Sequence, residues 1–193
     1  MTTATATTTL AGTTGLSGTY SIDPSHSRIG FVARHAMVTK VRGSFNDFAG
    51  TGTLDTDDVT KSTIALTIQA ASIDTRNDDR DAHLRGNDFF DMETYPEITF
   101  RSTTVEKLDD TNFRVTGDLT IKAVTQAVSV DFEYTGTAVD PYGNTRIGFE
   151  GATTVNRKDF GVSWNAALEA GVVLVSEKVT LEFEVSAIRD ADA

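Results

Sequence analysis

Phe113-Arg114-Val115-Thr116-Gly117-Asp118-Leu119-Thr120-Ile121 alternates without a break. Phe113, Val115, Gly117, Leu119 and Ile121 share one face, and Arg114, Thr116, Asp118 and Thr120 share the other. Side chains of a strand point to opposite faces in turn, so this period of two predicts a half-buried strand. The pattern resumes at once: Val124, Val128, Val130, Phe132 and Tyr134 oppose Thr125, Ser129, Asp131 and Glu133. Lys122 and Ala123 between the two runs predict a hairpin.

Working outward, the same alternation marks Ile29, Phe31 and Ala33; Ile64, Leu66 and Ile68; Ile98 and Phe100; Ile147, Phe149 and Val155; and Val179, Leu181, Phe183 and Val185. With the stretch from Phe45 to Leu54, about eight strands are expected. Asp140-Pro141-Tyr142-Gly143-Asn144 is a strong turn signal, because proline presets φ and glycine supplies a positive one. A chain of strands with one apolar face each must hide its edges, either in a closed barrel or in a sandwich. One polar stretch interrupts the pattern at residues 75–96, and a short helix is expected from residue 77.

At 193 residues the chain is long enough for a buried core, and length favours one domain. The first seventeen residues carry no charge and no apolar run, so residues 1–17 are expected to be a flexible Thr/Ala-rich tail, 18–189 the domain, and 190–193 an unpacked end. Neither the basic segment nor the apolar segment of a secretory signal is present there, which gives a cytoplasmic expectation. No run approaches the roughly 18 apolar residues of a spanning helix, so an integral membrane protein is not expected. The net charge of -11 argues against nucleic acid and against non-specific attraction to an anionic lipid surface. With no cysteine, disulfides, thiolate catalysis and cysteine-held metals are excluded together.

Catalytic signatures are missing as well. His26, His35 and His83 fall at no metal-binding or catalytic spacing, and there is no Gly-x-Ser-x-Gly elbow and no phosphate-binding glycine loop. A cluster of the three histidines with Asp79 or Asp81 remains an alternative, as a metal site or an enzyme. In a helix over residues 77–85, Asp79 and His83 stand at i and i+4, as do Asp81 and Arg85. Arg80 and Asp81 read equally as a structural ion pair or, for Arg80, as a group held over a barrel mouth. Arg157 reads as an ion-pair partner or a second cation for a polar head. Phe89, Phe90 and Met92 either pin the insert to the core or line a portal.

Three separated blocks carry a resemblance. Ile22-Asp23-Pro24-Ser25-His26-Ser27, then Arg80-Asp81-Ala82-His83-Leu84-Arg85 running through Phe89-Phe90 to Tyr95-Pro96, then Asn156-Arg157-Lys158-Asp159-Phe160-Gly161 occur in that order. Phe31, His35, Ser72-Ile73-Asp74-Thr75, Phe100 and Gly117-Asp118-Leu119-Thr120-Ile121 add to them. The chain resembles the YceI-like family of bacterial lipocalin-like polyisoprenoid-binding proteins over about Thr19 to Ile188. Two departures stand out: Ala123, where the family pattern usually has glycine, and the secretory signal that many members carry.

The resemblance implies an all-β fold, an eight-stranded antiparallel lipocalin-like barrel with a short helical insert around residues 77–90. It implies binding of a long amphipathic lipid, a polyisoprenoid or isoprenoid quinone, for transport, storage or sequestration, with no catalysed reaction. No cofactor beyond such a bound lipid is expected, and a homodimer is. Phe31, Phe100, Leu119, Ile121, Val130, Phe149 and Phe183 are the candidates for the apolar tail; ordinary core packing explains them equally well. His35, Arg80 and His83 are the candidates for the polar head. A filled, stress-related scaffold, and a barrel for another hydrophobic molecule such as an antibiotic or fatty amide, are the competing readings.

Overall fold

A computed structural model describes residues 14–191. The strands are β1 (Gly18–Ile22), β2 (Arg28–His35), β3 (Thr39–Phe45), β4 (Phe48–Leu54), β5 (Thr63–Gln69), β6 (Ile73–Asp74), β7 (Glu97–Lys107), β8 (Asn112–Ile121), β9 (Val124–Val139), β10 (Thr145–Asn156) and β11 (Lys178–Arg189). One helix, α1 (Asp78–Arg85), lies between β6 and β7.

Eleven segments make eight staves. β2 pairs with β3 and β1 with β4, so residues 18–54 form one long hairpin broken in both arms. Pro24–His26 forms a single helical turn in the first arm, and Asn46-Asp47 breaks the second. β5 pairs with β4, and the short β6 that continues its stave pairs with β3; β7 to β11 then each pair antiparallel with the stave before, and β11 closes the circle on both β1 and β2. The closed eight-stranded antiparallel barrel matches expectation, whereas the single strand expected from Phe45 to Leu54 is interrupted. Closure leaves no long free edge to pair with another chain.

The alternation predicted for β8 is the one observed. Phe113, Val115, Gly117 and Leu119 are buried, Arg114 and Asp118 are exposed, and all ten residues of β8 pair in register with β9. Ile121 faces Val124, and the two residues between them take φ of 51° and 59°. That is the twist a two-residue hairpin requires. Asp140–Asn144 also turns as expected, with the Gly143 amide donating to the Asp140 carbonyl and Gly143 at φ 88°.

Bulky rings find room inside by standing against glycine. Phe31 pairs with Gly43 and Phe132 with Gly151, and an added Cβ on either glycine would lie within 2.6 Å of the ring.

The ends are better anchored than the sequence suggests. Arg189 donates to the carbonyls of Gly15 and Ser17, and Ser17 Oγ bonds Thr56 Oγ1 at 2.8 Å. Ser21 Oγ donates to Asp190, whose own amide donates to Thr19. Residues 15–17 and Asp190 therefore belong to the folded unit, a correction to the expected boundaries. Residues 1–13 of the expected tail and 192–193 of the expected end lie outside the described residues. No helix among those described is long and apolar enough to cross a membrane.

Candidate functional site

The inward faces of the staves line a cavity of about 300 Å³. Its wall is almost wholly apolar, and every phenylalanine of the chain except Phe48 contributes to it. This follows from the strand pattern, because in a closed barrel the apolar alternate residues of every strand must point at one another. A cluster including Ile29, Phe45, Ile68, Ile98 and Phe89 packs one end. Val59 and Phe113, with Tyr20, Ile147 and Ala187, share Leu54, Tyr134 and Phe149 as neighbours at the other.

All seven residues expected to form an apolar interior line this cavity. Leu119 and Val130 are buried in the wall, while Phe31, Phe100, Ile121, Phe149 and Phe183 are only partly buried. Ile22, Phe45, Phe90, Phe113 and Phe132 line it too. The strand period could have found Phe113 and Phe132; the position of Phe90, in the insert, carries no such signal.

The three residues expected to hold a polar head are not brought to the cavity wall. His35 is exposed at the end of β2, where it bridges Val175. His83 Nε2 lies 2.9 Å from Asp88 Oδ2, and its ring stands edge-on to Trp164 and Phe89, at centroid distances of 4.7 and 5.1 Å. Arg80 donates from Nε to Thr75 Oγ1 at 2.7 Å and from Nη2 to the Thr75 carbonyl at 2.9 Å.

Arg80 and Asp81 meet on Thr75 instead of on each other. Buried Asp81 accepts from both the amide and the hydroxyl of Thr75. The expected i,i+4 pairs give way to longer-range bonds: Arg85 donates to the carbonyls of Ala71 and Ile73, and His83 turns to Asp88. Asn77 caps α1, accepting from the Arg80 amide, and the helix ends at Arg85, with Gly86 to Phe90 in turns. Leu84, Phe89, Phe90 and Met92 pack on the core, and the first three also reach the cavity wall. The insert is thus pinned across one end of the barrel.

Arg157 is the one charged side chain in the wall among the described residues. It is buried and donates to three carbonyls, Ser176 at 2.9 Å, Val162 at 2.7 Å and Val175 at 3.4 Å. Burial lowers its pKa, with Glu177 acting weakly the other way. The ion pair considered for it is not formed; its neighbour Lys158 pairs with Glu177 instead. A guanidinium with several N–H donors suits this task of tying Asn156–Val162 to the segment that leads into β11.

Nor do the histidines converge. His26 pairs with Asp23 and His83 with Asp88, and no group of three His, Cys, Asp or Glu among the described residues stands close enough to hold a metal ion. What the interior offers chemically is apolar surface.

Comparison with known proteins agrees with this architecture. The family model described as "YceI-like domain" matches residues 20–187. A UPF0312 protein of Staphylococcus epidermidis is 40% identical over 169 residues, which is 87% of this chain and 95% of that one. Another, from Photorhabdus laumondii, is 41% identical over 143 residues, 73% of this chain and 74% of its own. Among solved structures, the YCEI protein of Campylobacter jejuni superposes with a TM-score of 0.70 at 30% identity, covering 82% of this chain and 90% of that one. A domain of Saccharophagus degradans, described as polyisoprenoid binding, shares the fold with a TM-score of 0.66 at 16% identity, covering 89% and 98%. With its sequence matched over nearly the whole barrel, the chain belongs to the YceI-like domain family.

Proposed function

We propose that this protein holds a long, largely apolar lipid of the isoprenoid class, a polyisoprenoid or an isoprenoid quinone, inside its barrel. It transports, stores or sequesters that lipid without a chemical step. The observation that carries this reading is the apolar cavity of about 300 Å³ with its phenylalanine-rich wall. Each methylene moved from water to such a wall contributes about 0.8 kcal/mol. A chain of many carbons therefore gains affinity without directional contacts, after the cost of ordering it is met.

A volume near the lower end of ligand-binding cavities favours a thin chain over a bulky ring system. The fold shared with a domain described as polyisoprenoid binding agrees with that choice. The dispersal of the three histidines favours a binding protein over an enzyme.

Solvent extraction of the purified protein followed by mass spectrometry tests the proposal, with native mass spectrometry of the intact sample beside it. A stoichiometric isoprenoid lipid is the expected result, on a protein expected to run as a dimer. A protein that carries none, and takes up neither added polyprenol nor added quinone, overturns the reading in favour of a filled scaffold.

A further inference from the structure

Four of the seven large apolar side chains exposed among the described residues stand on two adjoining segments. Met37 and Val38, 51% and 76% exposed, form the tip of the β2–β3 hairpin. The tip is a tight turn closed by the Val38 amide on the His35 carbonyl, with Ala36 and Met37 at φ of 48° and 59°. Leu168 and Val172 belong to the loop of residues 165–174, which doubles back so that the Leu168 amide donates to Val172. The Ala36 amide donates to Leu174, and His35 bridges Val175, so the two segments are tied together at one rim of the barrel.

The charge of the hairpin opposes that of the whole chain. From Pro24 to Asn46 there is no acidic residue, whereas Arg28, Arg34, Lys40 and Arg42 are all present. Glu182 bridges Arg28 and Arg42. Arg34 and Lys40 stand directly opposite each other across the hairpin, both exposed, with no carboxylate within ion-pair distance among the described residues. Like charges in that register destabilise a strand pair, and among the described residues no acid is placed to relieve them. From Gly161 to Ser176 the only acid is Glu169.

We propose that this rim is a docking surface for an anionic lipid bilayer. Met37, Val38, Leu168 and Val172 enter the boundary between headgroups and acyl chains, and Arg34 and Lys40 meet lipid phosphates. Apolar tips flanked by cations are the arrangement an anionic interface favours. The net charge of -11 does not oppose it at contact, because charges more than about 8 Å from the bilayer are largely screened at physiological ionic strength. β2 runs from the tip directly to Ala33 and Phe31 in the cavity wall, and Val175 beneath the loop lines it as well. Docking does not depend on what the cavity carries.

Flotation of the full chain with phosphatidylcholine vesicles, with and without phosphatidylglycerol, tests the proposal. Binding to the anionic vesicles alone, weakening as salt rises, is expected. Each neutralised cation should weaken it about fivefold, so Arg34→Gln with Lys40→Gln should lower it by about twenty-five-fold. Val38→Trp, an exposed site that the fold tolerates, should shift its emission to the blue when anionic vesicles are added. Absence of flotation at low salt, equal flotation with neutral vesicles, or flotation indifferent to the paired substitution would each overturn the proposal. Self-association that depends on Met37 and Val38, without vesicle binding, would overturn it in favour of a second copy of the chain.

Discussion

The ring of Phe31 occupies the space where residue 43 would carry its side chain. The two residues face each other across β2 and β3, and an added Cβ on Gly43 would lie 2.3 Å from Cζ of the ring and 2.9 Å from Cγ2 of Thr75. Gly43→Ala must therefore push Phe31 into the cavity or strain the hairpin. Overpacking of this kind costs about 1–3 kcal/mol. Denaturant unfolding should show a lower midpoint with an unchanged slope, and lipid uptake should fall in the same variant, because the displaced ring enters the cavity.

The opposite sign is expected at the β8–β9 turn. Ala123 sits at φ 59° beside Lys122 at 51°, in the left-handed region that costs a residue with a Cβ roughly 1–2 kcal/mol. Ala123→Gly removes that cost and gives back part of it in unfolded-state entropy. A net gain of about 0.5–1 kcal/mol is expected, read as a rise in thermal midpoint with no change in ligand binding.

Asp81 anchors the insert. It is buried, it accepts from both the amide and the hydroxyl of Thr75, and Arg80 holds the same threonine from the other side. Asp81→Ala strips a buried amide and hydroxyl of their acceptor, at a cost of about 1–3 kcal/mol. Hydrogen exchange should localise the loosening to residues 75–96 while the β8–β9 amides keep their protection.

These contrasts show what was readable from residue order. The wall was legible because period-two alternation has only one buried solution once strands close, so Phe31, Leu119 and Val130 could be placed without coordinates. The break at Asn46-Asp47 was missed, although buried Phe45 and Phe48 stand three residues apart and so shift the phase of the alternation. Helix α1 was legible, but its bonds were not: spacing proposes Asp81–Arg85, while the chain brings Thr75 and the Ala71 and Ile73 carbonyls closer. Local spacing also placed His35 and His83 no better than guesswork at the cavity, because their direction depends on how the insert and the loop at residues 165–174 cross the barrel end.

Acid should weaken the seam where the first arm meets β10. Asp23 accepts from Ser25, Arg146 and His26, and its carboxyl is held well below the usual aspartate range, chiefly by the Ser25 and Arg146 hydrogen bonds. Asp140 is lowered in the same direction, chiefly by Asn144. A depressed carboxylate contributes stability that is fully present above its unfolded pKa and is lost as pH falls toward its folded one. Stability should therefore decline below about pH 4. Asp23→Asn should be less stable than the parent at neutral pH and should flatten that decline, so the two unfolding curves converge in acid. Parallel curves would show that Asp23 does not titrate with folding.

Charge placed on the cavity wall separates a binding interior from a merely packed one. Ile121 lines the cavity and is only partly buried, and it lies at the last position of β8, next to the turn. A long arginine there can run its methylenes along the wall and carry its guanidinium toward the barrel end, so the fold should survive at a cost of about 1–3 kcal/mol. Lipid binding should not survive, because an apolar chain in the cavity would have to strip that charge of its water. Ile121→Arg is thus expected to retain the circular dichroism of the parent, to purify without extractable lipid, and to take up no added polyprenol. Leu119→Arg, buried at 7% exposure two residues earlier on the same face, should lose the same binding with a larger loss of stability. If Ile121→Arg folds and binds lipid as the parent does, the ligand does not lie against this wall.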